Sequence, residues 1–196
     1  MNAGKLDTRV EVREYVAGAW VPAGHRFAAI EYMASVRSQG VIFSPLATRV
    51  PGVTITLREN AITLHHAIVV DGQHYMLTAA VQAGRRYTAL TGAAVTVTPC
   101  QMQRQIITGK DALNKPLYGS PQIADFEAVL SEAYVAWQRE RPQMSLDQGV
   151  ILTAPKAILL RAGDLVKTPA ATYAVRECHT MGHYQNDYEI VWQGDA

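Results

Sequence analysis

Short runs of alternating apolar and polar residues, each ended by a turn, recur along most of the chain and limit what it can fold into. Residues 53–57 alternate Val, Thr, Ile, Thr and Leu, and residues 6–15 place Val10 and Val12 on one face with Glu11 on the other. A period of two is typical of a β-strand with one buried face. The chain is therefore predicted to be mainly β.

The strand pattern occurs twice. A hydrophobic strand at residues 52–57 is matched, 97 positions later, by residues 149–154, and an aromatic strand at residues 74–77 is matched by residues 172–175. Two small antiparallel β-barrels in tandem, each of about five or six strands, explain this repeat. The alternative is that two unrelated β meanders share the pattern by chance.

One α-helix is predicted to connect the barrels. Ser120 and Pro121 suit a helix start, apolar residues then recur at spacings of three and four, and Pro142 ends the pattern. Its apolar face, predicted to pack between the domains, consists of Phe126, Leu130, Tyr134 and Trp137. The predicted domains are a first barrel (1–100), a linker (101–119), and the helix with a second barrel (120–196).

Composition and motifs exclude several classes of function. Charged residues make up 18% of the chain and the net charge is +1, which argues against a general nucleic-acid binder. The sequence has no P-loop and no G-x-S-x-G motif, so no enzyme activity and no catalytic residue is predicted. No run of about 18 apolar residues occurs, so no membrane span is expected.

The histidines and cysteines contain one cluster of interest. Cys178, His179 and His183 flank a glycine turn and could converge on zinc. A closed zinc site needs four ligands and no paired-cysteine motif supplies the rest, so no metal and no cofactor is predicted. Cys100 and Cys178 are interpreted as reduced thiols.

Several strands of the first half, taken in order, resemble a known family. Residues 4–12 (Gly-Lys-Leu-Asp-Thr-Arg-Val-Glu-Val), Trp20 and residues 27–36 are similar to the opening strands of the head-closure proteins of tailed bacteriophages, also called head–tail joining or stopper proteins. Residues 53–58 and the hairpin at residues 68–77 resemble the strands that follow in that family. The resemblance covers residues 4–98 approximately.

The second half is similar to a related family, the phage head-completion proteins. Residues 161–166, 172–175 and 188–192 match the strand pattern of those proteins loosely. Members of both families share a small β-barrel, and a tandem of two barrels departs from the usual single-barrel member. The role of the second barrel is therefore left open by the resemblance.

The resemblance implies a structural virion protein of the phage neck. Copies would form a ring, of roughly six or twelve subunits, below the portal and its adaptor, close the DNA channel after genome packaging and provide the platform for a tail terminator or other tail protein. The ring would contact the packaged double-stranded DNA and assemble in the bacterial cytoplasm. The matching channel loop is 37–51, whose gate or DNA-facing candidates are Arg37, Gln39, Val41, Ile42, Phe43 and Arg49.

Lys5, Arg9 and Arg13 are the candidates for contacts with neighbouring subunits or with the portal and adaptor. Arg9 and Arg13 share the exposed face of the first predicted strand, where a subunit interface or a DNA-facing wall could use them.

Two alternative functions stay open. One is a tail terminator or other tail-tube protein, and the other is an OB-like nucleic-acid-binding module, although the sequence lacks the expected interleaving of aromatic and basic residues.

Overall fold

The chain folds into two compact units, Met1–Val97 and Thr98–Ala196, and each contains one closed antiparallel β-barrel of six strands. The computed structural model describes residues 6–33, 51–58, 61–83, 85–132, 150–180 and 182–195. All regular secondary structure within these ranges is β-strand. In the same ranges, no helix has the length and apolarity that a membrane-spanning helix needs.

The first barrel is built from strands β1 to β6. Their bounds are β1 Thr8–Val16, β2 Ala19–Met33, β3 Gly52–Arg58, β4 His66–Val70, β5 Gln73–Gln82 and β6 Tyr87–Val95. Around the barrel they follow the order β1, β2, β3, β6, β5, β4, and β4 pairs back with β1. Alternate residues point inward, so Ile55, Leu57, Ile68 and Leu90 form part of a core that water does not reach.

The second barrel uses β7 and β10 to β14, and a separate two-stranded sheet is inserted after its first strand. The bounds are β7 Val97–Arg104, β8 Ile107–Lys110, β9 Pro116–Tyr118, β10 Gln122–Glu132, β11 Val150–Pro155, β12 Leu165–Lys167, β13 Ala171–His179 and β14 Gln185–Asp195. The order around the barrel is β10, β11, β14, β13, β12, β7. Phe126, Leu152, Val166, Tyr188 and Ile190 contribute to its core.

Both barrels have the same strand topology, which confirms the tandem predicted from the sequence. If the six strands of each barrel are counted along the chain, each barrel has the cyclic order first, second, third, sixth, fifth, fourth. The matched sequence segments also fall on equivalent strands, because β3 corresponds to β11 and β5 corresponds to β13. The internal repeat is therefore structural, despite low identity between the halves.

Two tight hairpin turns in the first barrel use backbone conformations with positive φ. Asp71 and Gly72 have φ of 49° and 81°, and positive φ at both central residues is typical of the type I′ turn that Asp-Gly pairs favour. Ala17 and Gly18, between β1 and β2, have φ of 50° and 94°. The left-handed region is unfavourable for alanine, so the β1–β2 turn carries a small local cost.

Replacing Ala17 with asparagine should stabilise the first barrel. Asn-Gly is the favoured pair for a type I′ turn, so we expect Ala17→Asn to raise the free energy of unfolding by about 0.5–1 kcal/mol. Urea denaturation of the full chain measures this. The control is Ala112→Asn, because Ala112 lies in a turn but does not have positive φ. This substitution should change the free energy of unfolding little. Equal effects at both positions would contradict the explanation.

The predicted connecting helix is wrong over the residues that the structure describes. Gln122–Glu132 is strand β10, with Phe126 and Ala128 buried and Leu130 packed on the same core. Phe126 and Leu130 are four residues apart, a spacing that fits both one face of a helix and one face of a strand. Ala128, midway between them, also faces the core, so every second residue points inward, as in a strand. Tyr134 and Trp137, the other two predicted packing residues, lie outside the described residues.

The predicted linker, 101–119, is occupied by strands in the structure. Its first residues belong to β7, which pairs with β12 through Gln101 to Gln103. The rest contains β8 and β9. The division between the two compact units falls between Val97 and Thr98, so the chain passes from one barrel to the next with only Thr96 between β6 and β7.

Candidate assembly surface

The β8–β9 hairpin, together with its flanking residues 106–119, forms a segment that we call the arm. Its two strands pair only with each other among the described strands. The backbone N–H of Gly119 donates to the carbonyl of Ile106 at 2.9 Å, and the Thr108 hydroxyl donates to the carbonyl of Leu117 at 3.2 Å. The arm is thus a closed hairpin inserted between two strands of the second barrel.

The turn of the arm is held by one carboxylate. Asp111 Oδ1 accepts hydrogen bonds from the backbone N–H groups of Leu113 and Lys115, both at 2.8 Å. Asn114 takes the left-handed conformation, with φ of 63°, which asparagine tolerates better than most residues. Side-chain capping of this kind fixes the shape of a turn without a hydrophobic core. The tip of the arm is therefore locally defined.

Large apolar side chains of the arm are exposed. They are Ile106, Ile107, Leu113, Leu117 and Tyr118, and the most exposed of them, Leu113 at the tip, has 76% of its surface accessible. A two-stranded hairpin is marginally stable alone, and its two outer edges offer unpaired backbone groups. Concentrated apolar exposure of this kind marks surfaces that bind other proteins. No sequence prediction singled out this segment, because turn-rich composition made it resemble a linker.

The predicted basic interface residues lie on the outside of the first barrel where the structure describes them. Arg9 is exposed on β1, and Arg13 is half-buried on the same strand, with its Nε 2.7 Å from Glu11 Oε1. Arg13 is thus already paired with an acidic neighbour, whereas Arg9 forms no ion pair with any residue that the structure describes. Lys5 lies outside the described residues, as do all six channel-loop candidates in 37–49.

A buried ion pair joins two elements of the second barrel. Asp164 is 3% exposed and accepts from Arg104 Nε at 2.8 Å and Arg104 Nη2 at 2.6 Å. The same carboxylate accepts from the backbone N–H of Arg161 at 2.7 Å, while Arg104 Nη2 also donates to the carbonyl of Leu159 at 2.9 Å. The hydrogen bond with Asp164 raises the pKa of Arg104. This network fastens the turn before β12 to the end of β7.

A second buried polar group lies on the outer side of the first barrel. His74 is 8% exposed, and among the described residues its Nε2 has no hydrogen-bond partner. The Trp20 ring meets the imidazole edge-on, with ring centroids 5.5 Å apart. Burial, followed by the nearby charge of Arg13, lowers the pKa of His74 to about 4. The imidazole is therefore neutral at physiological pH.

The cysteine–histidine cluster considered from the sequence does not come together. Cys178 packs against the core of the second barrel, and its neighbour His179 is exposed, because successive residues of a strand face opposite sides. His179 instead meets Glu189 on the adjacent strand, with Nε2 3.1 Å from Oε1. Both cysteines are free thiols, and burial raises the pKa of Cys100 to about 12.

No family model, no curated protein and no solved structure matches this chain. What the chain does must therefore be inferred from its own fold and surfaces. The described features that bear on function are the two barrels of equal topology, the exposed arm, and the polar clusters at the barrel walls.

Proposed function

We propose that this chain is a structural subunit of the neck of a tailed bacteriophage. Copies assemble into a ring below the portal and its adaptor. The ring closes the DNA channel after packaging and serves as the platform on which the tail docks. The resemblance of the strand sequences to head-closure and head-completion proteins suggests this place in the particle. Each unit is a small β-barrel, the fold that the resemblance implies, although two barrels in tandem depart from the usual single-barrel member.

The arm is the observation that supports a role in assembly. It exposes five large apolar side chains on a hairpin whose turn is already ordered by Asp111. Such a hairpin can pack its apolar side chains on a neighbouring copy and extend that copy's sheet through its open edges. Because Asp111 already holds the turn of the arm, docking costs less ordering entropy than it would for a segment without structure.

Two titratable groups of the barrels have strongly shifted pKa values. His74, with a pKa of about 4, and Cys100, with a pKa of about 12, are both shifted first by burial in packed barrel walls. Buried titratable groups of this kind contribute to the pH range over which a fold persists. Neither is part of the exposed arm.

A charge on the arm should prevent incorporation into particles. We expect Leu113→Asp and Leu117→Asp to leave thermal unfolding nearly unchanged, because both side chains are exposed. An aspartate forced into an apolar interface would be a buried unpaired charge, so copies per particle should fall by at least about tenfold. Quantitative mass spectrometry of purified particles measures the copy number.

The matched control is Leu159→Asp, since Leu159 is also exposed, at 63%, and lies in the second barrel outside the arm. This variant should be incorporated normally. Normal incorporation of the two arm variants would remove the arm from the assembly contact, and equal loss in all three would point to charge rather than to the arm.

The place in the particle is tested separately, with particles assembled without the chain. A neck protein predicts heads that are filled with DNA, leak it and carry no tails. Heads that retain DNA and bear tails of incorrect length would favour the tail-terminator alternative. Tight binding of single-stranded oligonucleotide by the purified chain at physiological salt would favour the OB-like alternative.

A further inference from the structure

The outer face of the second barrel carries a mixed set of metal-ligating side chains where β13 and β14 pair. Glu177, His179 and Glu189 each offer one ligand atom, and the three atoms lie within 4.8 Å of one another. His179 Nε2 is 3.1 Å from Glu189 Oε1. We call these three residues the donor cluster.

Strand pairing, rather than sequence spacing, assembles the donor cluster. Glu177 stands directly opposite Glu189 in the register, and a register shift lies between Val175 and Glu177. His179 follows Glu177 by two residues and so shares its face. Glu189 is ten residues from His179 along the chain, across the turn that joins the strands, so no short sequence motif contains all three residues of the donor cluster.

The electrostatics of the donor cluster favour a cation. Directly opposed like charges on neighbouring strands are destabilising. Within the described part of the chain, neither Glu177 nor Glu189 forms an ion pair with a lysine or arginine, and the one side chain of the opposite type that contacts Glu189 is the His179 imidazole. Asp187, opposite His179, adds a further negative charge at this end of the strand pair. A bound divalent ion would offset this repulsion.

We propose that the donor cluster binds a divalent transition-metal ion of the zinc class. One imidazole nitrogen with carboxylate oxygens suits zinc and its neighbours in the first transition row, whereas magnesium and calcium take oxygen ligands. Ligand bonds of about 2.1 Å place neighbouring donors of a tetrahedral ion about 3.4 Å apart. The 3.1 Å separation of His179 Nε2 from Glu189 Oε1 is close to that distance between donors. Three protein donors leave at least one position for water or for a ligand from another molecule.

Metal titration of the untagged full chain tests the site. Isothermal titration with Zn²⁺ should give one site per chain, and His179→Gln should weaken it by at least about tenfold. Co²⁺ in place of Zn²⁺ should give an absorption spectrum that the same variant abolishes. The matched control is His183→Gln, an exposed histidine that lies outside the donor cluster, and it should bind Zn²⁺ like the wild type.

A charge substitution provides a second test that does not depend on loss of folding. Glu177→Lys should put an ammonium group where the ion would reside, pair with Glu189, and raise the melting temperature of the metal-free chain. Added Zn²⁺ should raise the melting temperature of the wild type but not that of Glu177→Lys.

Three results would overturn the site: no Zn²⁺ binding, binding unchanged in His179→Gln and Glu177→Lys, or equal binding of Mg²⁺ and Zn²⁺. The last would show a diffuse acidic surface with a His179–Glu189 ion pair. These measurements use the isolated chain, so their outcome is independent of the proposed place in a phage particle.

Discussion

Replacing Asp164 with alanine is expected to destabilise the second barrel by about 3 kcal/mol, the largest effect of any single exchange considered. The carboxylate accepts three hydrogen bonds, two from Arg104 and one from the backbone of Arg161. Without it the Arg104 guanidinium, whose side chain is 18% exposed, would stay largely buried without a counter-charge, and its Nη2 would keep only the hydrogen bond to the Leu159 carbonyl. Urea denaturation gives the free energy, and hydrogen exchange of residues 150–195 shows whether the loss is confined to the second barrel.

Two controls separate the buried network from a general effect of removing charge. Asp125→Ala removes an exposed carboxylate of the same barrel, which accepts a single bond from Gln101, and should cost little. The double variant Arg104→Met with Asp164→Leu should be more stable than Asp164→Leu alone, because it leaves no buried charge without a partner. Additive losses in the double variant would show that the two residues act independently.

Acidification should destabilise the first barrel through His74. Its pKa is lowered from 6.5 in the unfolded chain to about 4 in the fold, mainly by burial. The unfolded state therefore binds more protons between these values, so the contribution to stability is complete above pH 6.5, declines as pH falls, and is lost near pH 4. The full contribution is about 3 kcal/mol.

The measurement is the difference in unfolding free energy between the wild type and His74→Leu at several pH values from 7 to 4. Taking the difference removes the background from carboxylates that titrate in the same range. The wild type should lose stability relative to the variant as pH falls. The matched control variant is His25→Leu, at an exposed histidine of the same barrel. A constant difference for His74→Leu would show that its imidazole is not desolvated.

The tandem of barrels could be predicted from the sequence because strand period and turn chemistry are local signals. Residues 53–57 and the Asp71-Gly72 turn are recognisable without knowledge of the rest of the chain. The repeat then supplied the number of barrels. Each of these signals depends on neighbours within a few residues, which is the range over which a sequence pattern is reliable.

The segment at 122–132 could not be assigned correctly on the same grounds. The spacing of Phe126 and Leu130 fits a helix and a strand equally well. The segment forms a strand because, in the closed barrel, β10 fills the position between β7 and β11. Pro99 likewise lies within β7, although a proline cannot donate a backbone hydrogen bond to a neighbouring strand. In both cases pairing with distant segments outweighs local preference.

The candidate surfaces were beyond prediction for a related reason. Arg104 and Asp164 are sixty residues apart and meet because β7 and β12 are neighbours in the barrel. Glu177 and Glu189 meet because of the β13–β14 register. The arm was not predicted, because its turn-rich composition is also typical of a linker. Polar pairs of this kind carry no periodic signal, so only the register reveals them.

The shared strand order of the two barrels has a consequence for symmetry. A closed assembly of these chains would contain two equivalent folding units for every polypeptide, and so twice as many barrels as chains.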